Sequence, residues 1–377
     1  MQYRLSKIPD YLINLIVDKI KMRKELNAII KKTGKLHQTK GIKQWFKKWS
    51  KLGNPNKNYY LIFSKYIGEQ INIVPDNICH NYITPILNPK RYISTYADKN
   101  MFDWFLNSKY RKINTPKTYI RCINGMLYNV DYRTISSKSK IDNILKNEVS
   151  IIIKPSIDGS SGQSILFFDK KDDHWQCRTH DMELSFDSLQ KGYQGNYIIQ
   201  EVLRQSRFMG NFCKTSVNTI RIAVYRSVND NKSHILRSII RIGRDGSYVD
   251  NAHAGGMFVG VDDNGRLGSY CCNQFGETTT CFNGIDFQKG KFIVPNFDRV
   301  KQLAKEVSES IPHLRLLALD IMLDINDNPV LIEYNVKAFS AWLFQFTSGT
   351  AFREYTDEII DYCINHKSEA TRIFLSF

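Results

Sequence analysis

The chain has 377 residues, with 53 Lys and Arg against 37 Asp and Glu, a formal net charge of +16, and 42% apolar residues. That length can build two or three domains, and the balance of apolar and charged residues excludes a disordered or low-complexity polypeptide. Eight cysteines without a CxxC pair exclude a disulfide framework, and Cys271, Cys272 and Cys281 with His253 lack the spacing of zinc knuckles, so free thiols in a reducing cytoplasm are expected.

Residues 1–57 hold fifteen Lys or Arg against Asp10, Asp18 and Glu25, a net of +12, so the remainder is close to neutral. Leu12, Leu15, Ile16 and Ile20, then Leu26, Ile29 and Ile30, recur at helical spacing, and Trp45, Phe46 and Trp49 mark a second short amphipathic helix. Such a module either docks its apolar stripe on the rest of the chain or meets an anionic membrane surface or acidic partner. Nucleic acid is a poorer fit, because no binding motif accompanies the interleaved Trp and Lys residues of 45–51. The run Tyr11 to Val17 is broken by Asp18, and neither a signal peptide nor a run of membrane-spanning length is expected. Gly53-Asn54-Pro55 reads as a loop and Asn72 to Val74 as a β-rich stretch.

The run from Ile151 to Phe168 places Lys154 at the mouth of a glycine- and serine-rich turn between two apolar strands. Gly159 and Gly162 open backbone angles that let N–H groups around Ser160 and Ser161 converge on an anion, with Lys154 adding a point charge. A Walker loop puts its lysine after the glycines and before a helix, so that motif is excluded, as are a Rossmann turn and a nucleotidyl-transfer lysine. A hairpin loop with an incidental lysine stays open as the alternative.

Ile235 to Ile242 alternates so that Arg237, Ile239 and Arg241 share a face; Arg241 is either a contact for phosphate or an acidic acceptor, or a solvated edge residue. Leu316 to Leu323 and Val330 to Asn335 flank the turn cluster Asn326-Asp327-Asn328-Pro329 and read as a hairpin. A tip at Asn326-Asp327 sets Asp320 opposite Glu333, with Asn335 on the same face beside apolar Ala318, Met322 and Leu331. Two carboxylates so close repel unless a cation lies between them, and an all-oxygen set suits Mg2+ completed by phosphate and water. The alternative is an ordinary solvent-facing hairpin. A closing helix is expected from about Phe352 to Asn365.

From about Ala97 to Phe352 the chain resembles the ATP-grasp enzymes, and within them the sugar-transfer-associated branch. Asp98-Lys99, with a short helix from Asn100 to Leu106 and the Asn114-Thr115-Pro116 strand entry, is similar to the family's first phosphate lysine. Lys154 with Ser160 to Gly162 resembles its second lysine and mobile flap. Tyr197 to Leu203 looks like the interlobe strand whose backbone reads adenine, Thr215 to Ile222 like the segment whose arginine approaches the transferred phosphate, and Asp250 to Gly256 like an element near the acceptor. Asp320, Glu333 and Asn335 coincide with the family's metal ligands. The chain departs from the pattern after Asn335, where Val336-Lys337-Ala338-Phe339-Ser340 lacks the usual proline and glycine, and in 271–283, which lacks a His-Pro.

The resemblance implies an α+β fold of two lobes clasping ATP, preceded by a basic, mostly helical region: residues 1–96, then a small lobe over 97–203 and a large lobe over 204–377. It implies Arg221 and Lys154 as catalytic; Lys99, Lys154, Ser160, Ser161, Gly162, Gln200, Glu201, Val202 and Leu203 as ATP contacts; Asp320, Glu333 and Asn335 as ligands of two Mg2+ ions; and Arg241, Asn251, Gly255, Gly256 and Lys337 as contacts of the other substrates. The implied reaction is ADP-forming ligation of a carboxylate to an amine through an acyl phosphate, acting on a sugar or surface-polysaccharide precursor in the cytoplasm or at the inner face of the membrane. A kinase with an alcohol acceptor and a non-catalytic basic binding protein are the alternatives; Lys154, Asp320 and Glu333 together argue against the second.

Overall fold

The computed structural model describes residues 10–37, 39–108, 112–157, 164–172, 174–248, 250, 255–337 and 339–371, with the backbone alone for 10–14. Ser160, Ser161, Gly162 and Asn251, and the side chain of Leu12, therefore lie outside the described residues.

Two antiparallel sheets organise this α+β chain. The smaller is ordered β2-β1-β6-β3-β4-β5, from β1 (Thr118–Ile123), β2 (Met126–Tyr128), β3 (Ser150–Pro155), β4 (Leu166–Lys171), β5 (His174–Cys177) and β6 (Tyr197–Glu201). The larger is ordered β11-β10-β9-β8-β7-β14-β15, from β7 (Thr219–Arg226), β8 (Ser233–Ile242), β9 (Met257–Val261), β10 (Leu267–Cys272), β11 (Thr278–Thr279), β14 (Leu316–Leu323) and β15 (Pro329–Asn335); the two-residue strands β12 (Cys281–Phe282) and β13 (Ile285–Asp286) pair separately. The segment before β1 ties the sheets together, since Asn114 O accepts from Leu331 N at 2.8 Å and Asn114 Nδ2 donates to Pro329 O at 3.1 Å.

Alternation along the central strands sorts their side chains to two faces. Ile220, Ile222 and Val224 of β7, with Leu317, Leu319 and Ile321 of β14, pack beneath the helix Phe297–Ser310, whose Val300, Leu303, Ala304 and Val307 supply the apolar stripe. Ala223 and Tyr225, Leu316 and Ala318, and Ile239 point to the opposite face. There they meet the N-terminal helices α1 (Asp10–Thr33), α2 (Ile42–Trp49) and α3 (Lys57–Ile67), together with the segment from Phe339 to Cys363.

Trp45, Trp49 and Leu52 are fully buried in that shared core. Trp45 and Trp49 are thereby unavailable for stacking on a base. Their indole N–H groups donate to Ile73 O at 2.7 Å and Ile71 O at 3.2 Å, while the Gln345 side chain accepts from Val74 N at 2.7 Å and donates to Val74 O at 3.0 Å. This corrects the β-rich reading of Asn72 to Val74: Asn72 lies in a turn, Ile73 N donates to Gln70 O, and the Trp45 and Gln345 side chains satisfy Ile73 O and Val74, so the segment joins no sheet.

The predicted stripe on α1 also needs correction. Leu26 and Ile29 are buried, but Ile16, Val17 and Ile20 are exposed, and Asp18 is the buried side chain in that half of the helix. The C-terminal helix forms as expected, with a 3-10 turn at Arg353–Tyr355 leading into Thr356–Asn365.

Trp45→Ala removes a fully buried indole and its hydrogen bond to Ile73 O, and should cost about 3–5 kcal/mol. Urea unfolding followed by near-UV circular dichroism measures this loss. A variant as stable as the parent would place α2 outside the core.

Candidate active site

The face of the large sheet that receives the N-terminal helices changes from apolar to charged along its strands. Two residues beyond Ala223 on β7 comes Arg221, two beyond Ala318 on β14 comes Asp320, and two beyond Ile239 on β8 comes Arg241. Register gathers them, since Asp320 lies opposite both Arg221 and Glu333, and Thr219 opposite Arg241.

Asp320 is only 4% exposed. Arg221 grips it in bidentate fashion, Nε to Oδ1 and Nη2 to Oδ2, both at 2.8 Å, and Arg241 Nη1 reaches Oδ2 at 3.1 Å. Arg241 also pairs with Asp250 at 3.0 Å, and Asp250 accepts from the Thr219 hydroxyl. Burial alone would raise the Asp320 pKa, but Arg221 and Arg241 outweigh it and hold the carboxyl below its ordinary value. Asp250, with a smaller share of that positive charge, is raised by burial despite Arg241.

The small sheet supplies the opposing wall. Lys154 ends the buried run of β3, and Lys99 is brought beside that strand by its own N–H, which donates to Ser156 O at 2.9 Å. Lys99 Nζ crosses to Glu333 Oε1 at 2.9 Å, an ion pair linking the two sheets. Lys154 makes no ion pair among the described residues; burial, then the neighbouring Lys99, push its pKa down to about 8 against the attraction of Glu333. Gln200, in the middle of the small sheet, lines the cavity; its Nε2 donates to Thr118 Oγ1 at 3.0 Å and its Oε1 is buried with no hydrogen-bond partner among the described residues. Phe167 and Tyr248 approach across the cleft with ring centroids 5.9 Å apart.

Between the walls is a cavity of about 560 Å³. Of the residues expected from sequence, Lys99, Lys154, Gln200, Glu201, Val202, Leu203, Arg221, Arg241, Asp320, Glu333, Asn335 and Lys337 all line it. Gly255 and Gly256 do not, Gly255 sitting instead at φ +84° against the Arg244 side chain. Arg237, on the face expected, donates to Thr350 O at 3.0 Å, leaving Arg241 as the arginine of β8 that enters the cleft.

The hairpin register matches at Asp320–Glu333 but slips nearer the turn, where Ile321 pairs with Leu331 and Leu323 with Pro329. One extra residue, Ile332, is accommodated as a bulge that sends Leu331 into the core under the opposite face and brings Ile332 to the cavity. Leu331 is therefore not a neighbour of the carboxylates. Sequence reasoning missed the site roles of Asp250 and Thr219; the β8 alternation that marked Arg241 carried no sign of its partners.

The donors suit a hard cation. Asp320 and Glu333 are carboxylates, and Asn335 Nδ2 donates to Ala318 O at 3.2 Å and Asp320 Oδ2 at 3.3 Å, so its carbonyl oxygen is the atom that could ligate an ion. No group of three His, Cys, Asp or Glu suited to a metal occurs among the described residues, so any ion here depends on the amide and on phosphate or water as well. Lys99, Lys154, Arg221 and Arg241 around one cleft fit a nucleotide polyphosphate.

A family model for sugar-transfer associated ATP-grasp proteins matches residues 78–360. A search of curated proteins finds no match. Among solved structures, the chain is similar to the ATP-grasp ligase PsnB complexed with a phosphomimetic variant of its minimal precursor, Mg and ADP, at 12% identity over 74% of this chain and 61% of that one, TM-score 0.39. It is also similar to the D-alanine–D-alanine ligase of Bacillus anthracis, at 14% identity over 73% of this chain and 69% of that one, TM-score 0.38. For the VanG D-Ala:D-Ser ligase of Enterococcus faecalis the figures are 11% identity, 71% and 61% coverage and TM-score 0.41. The chain thus spans 61% of the length of PsnB.

The lowered Lys154 pKa gives nucleotide binding a pH dependence of defined sign. Below about pH 8 the ammonium is charged and attracts phosphate, and above it the neutral amine does not. ATP affinity measured by calorimetry should fall up to roughly tenfold between about pH 7 and about pH 9. Lys154→Arg stays charged and should flatten the profile; an equally steep fall in that variant would assign the titration to another group.

Proposed function

The chain belongs to the sugar-transfer-associated ATP-grasp family, and from that membership we propose an ADP-forming ligase that joins a carboxylate to an amine, one of them borne by a sugar or surface-polysaccharide precursor. The observation that carries this reading is the convergence of Lys154 from the small sheet and Lys99 from the turn beside it with Arg221 and Arg241 from the large sheet on the Asp320–Glu333 pair.

Phosphoryl transfer asks a protein for alignment and charge neutralisation rather than a nucleophile. Lys99 and Lys154 cradle the ATP phosphates. Arg221, released from Asp320, turns to the phosphoryl group in flight, and Asp320, Glu333 and Asn335 hold Mg2+. When bound, Mg2+ neutralises charge on the phosphate oxygens. A carboxylate oxygen of the substrate attacks the γ-phosphorus and the bond to the bridging oxygen breaks, leaving ADP and an acyl phosphate. The amine nitrogen then attacks the acyl carbon, phosphate departs and the nitrogen loses a proton, giving the amide. Gln200 accepts from the adenine amino group, and the backbone of Glu201 to Leu203 reads its edge. Arg241, held between Asp250 and Asp320, offers its remaining donor face to the substrate carboxylate.

Incubation with ATP, Mg2+ and pools of carboxylates and amines, followed by mass spectrometry, tests the reaction. Free phosphate should appear only when carboxylate and amine are both present, and hydroxylamine should trap the acyl phosphate as a hydroxamate. Phosphate retained on an alcohol product would instead establish a kinase.

Arg221→Ala should lower turnover by about 10²–10³, and Glu333→Gln should abolish it with the fold intact. Lys99→Ala and Lys154→Ala should each weaken ATP by about 1–3 kcal/mol and leave adenosine binding unchanged. Equal losses for both ligands would make the lysines structural.

A further inference from the structure

The cavity that contains the phosphate cleft is also lined, from α1, α3 and the helical segment 76–87, by Lys21, Glu25, Tyr59, Asp76, Cys79 and His80. This chamber belongs to the most basic part of the sequence, yet carboxylates are turned into it. On α1 the ordinary preference is inverted: Asp18 is 1% exposed while Ile16 and Ile20 are 54% and 50% exposed. Burying an aspartate and exposing isoleucines costs stability, and such inversions belong to places where side chains serve something other than packing.

The nearby cations Lys21 and His80 offset these carboxylates only in part, since the pKa values of Glu25 and Asp76 both stay raised. His80, which itself lines the chamber, has its Nε2 against Asp18 Oδ2 at 3.1 Å, and Lys21 acts on Glu25, one helical turn away. Asp76 has no ion pair or side-chain hydrogen bond among the described residues; burial raises its pKa, with Glu25 adding to the rise and His80 opposing it. Desolvation likewise raises Glu25. Tyr59 is 6% exposed, and its hydroxyl, facing the same space, has no partner among the described residues. The first turn of a helix favours a carboxylate at position 76, but that accounts neither for Glu25 on another helix nor for the unpaired phenol. Two carboxylates and an unpartnered phenol around one apolar-walled chamber are complementary to a positively charged group that donates hydrogen bonds.

We propose that this chamber is a substrate subsite for a primary ammonium group, with Asp76 and Glu25 as its charge partners and the Tyr59 oxygen accepting one of its hydrogens. The chamber opens into the cavity that holds the transfer chemistry, so the ammonium belongs to a substrate such as an aminated sugar, an amino acid or a polyamine. The assignment to an acceptor rests on the ligase reading. The ammonium held here is a recognition group and not the attacking nitrogen, because a protonated amine has no lone pair to offer. α1 is in this view a specificity element of the active site, contributing Glu25 to the subsite.

Ligand-observed NMR on the full chain, saturated with a non-hydrolysable ATP analogue at neutral pH, tests the subsite without turnover. The probes are glucosamine against glucose and putrescine against butanediol. At least one ammonium compound should bind while its hydroxyl counterpart does not, and Asp76→Asn and Glu25→Gln should each weaken that binding about tenfold or more, with the affinity for the ATP analogue unchanged. Ammonium probes that bind no better than the hydroxyl compounds, or equally well to both variants, would overturn the proposal. Should Asp76→Asn lose its fold, as judged by its melting temperature, Glu25→Gln and Tyr59→Phe decide the matter. Failure of the parent to bind the ATP analogue would count against the ligase reading, while the ammonium–hydroxyl comparison would still decide the subsite.

Discussion

A carboxylate buried between two guanidinium groups sets the terms for everything around it. Removing Asp320, Arg221 and Arg241 from water is expensive, and only the bidentate geometry and the further carboxylate of Asp250 make the arrangement tolerable. That geometry demands strands in fixed register on a face that is otherwise apolar. The pairing of Asp320 with Arg221 on one side and Glu333 on the other is therefore tied to the packing of Ala223, Ala318 and Ile239 two residues away. The N-terminal helices complete that packing. The chain thus has no clean separation between a stabilising core and a reactive floor, since one sheet face is both.

The legible parts of the site were those written in strand alternation. Asp320 opposite Glu333, and Arg241 entering from β8, follow from a side-chain period of two and a recognisable turn, and the structure holds both. The fold class and the family were also readable, through the resemblance that the local motifs carry, and the family match over residues 78–360 agrees with them. The glycine loop after Lys154 falls among residues the structure leaves undescribed.

The misreadings have a common cause: local pattern was overridden by a distant side chain. The bulge at Ile332 cannot be seen in the alternation of β15 and reverses the facing of Leu331. Asn72 to Val74 has the residues of a strand, but Ile73 bonds to Gln70 O and the Trp45 indole, and Val74 to Gln345, 271 positions away. In α1 the isoleucines at helical spacing suggested the buried stripe, whereas the buried position is an aspartate held by His80, which lies 62 residues further on. No window of sequence around Asp18 contains that partner.

The Lys99–Glu333 pair has a consequence for how ligands exchange. In this structure a cation attached to the small sheet neutralises an anion of the large one across 2.9 Å. On the proposed function, nucleotide and metal would present the opposite charges to the same two groups, phosphate to the lysine and cation to the glutamate. The interaction is swapped rather than added. On that reading the contact surrendered would offset part of the electrostatic gain of binding and ease departure of the spent nucleotide. A protein built in this way carries its own competitor for the charged ends of its cosubstrate, and turnover gains from what tightness loses.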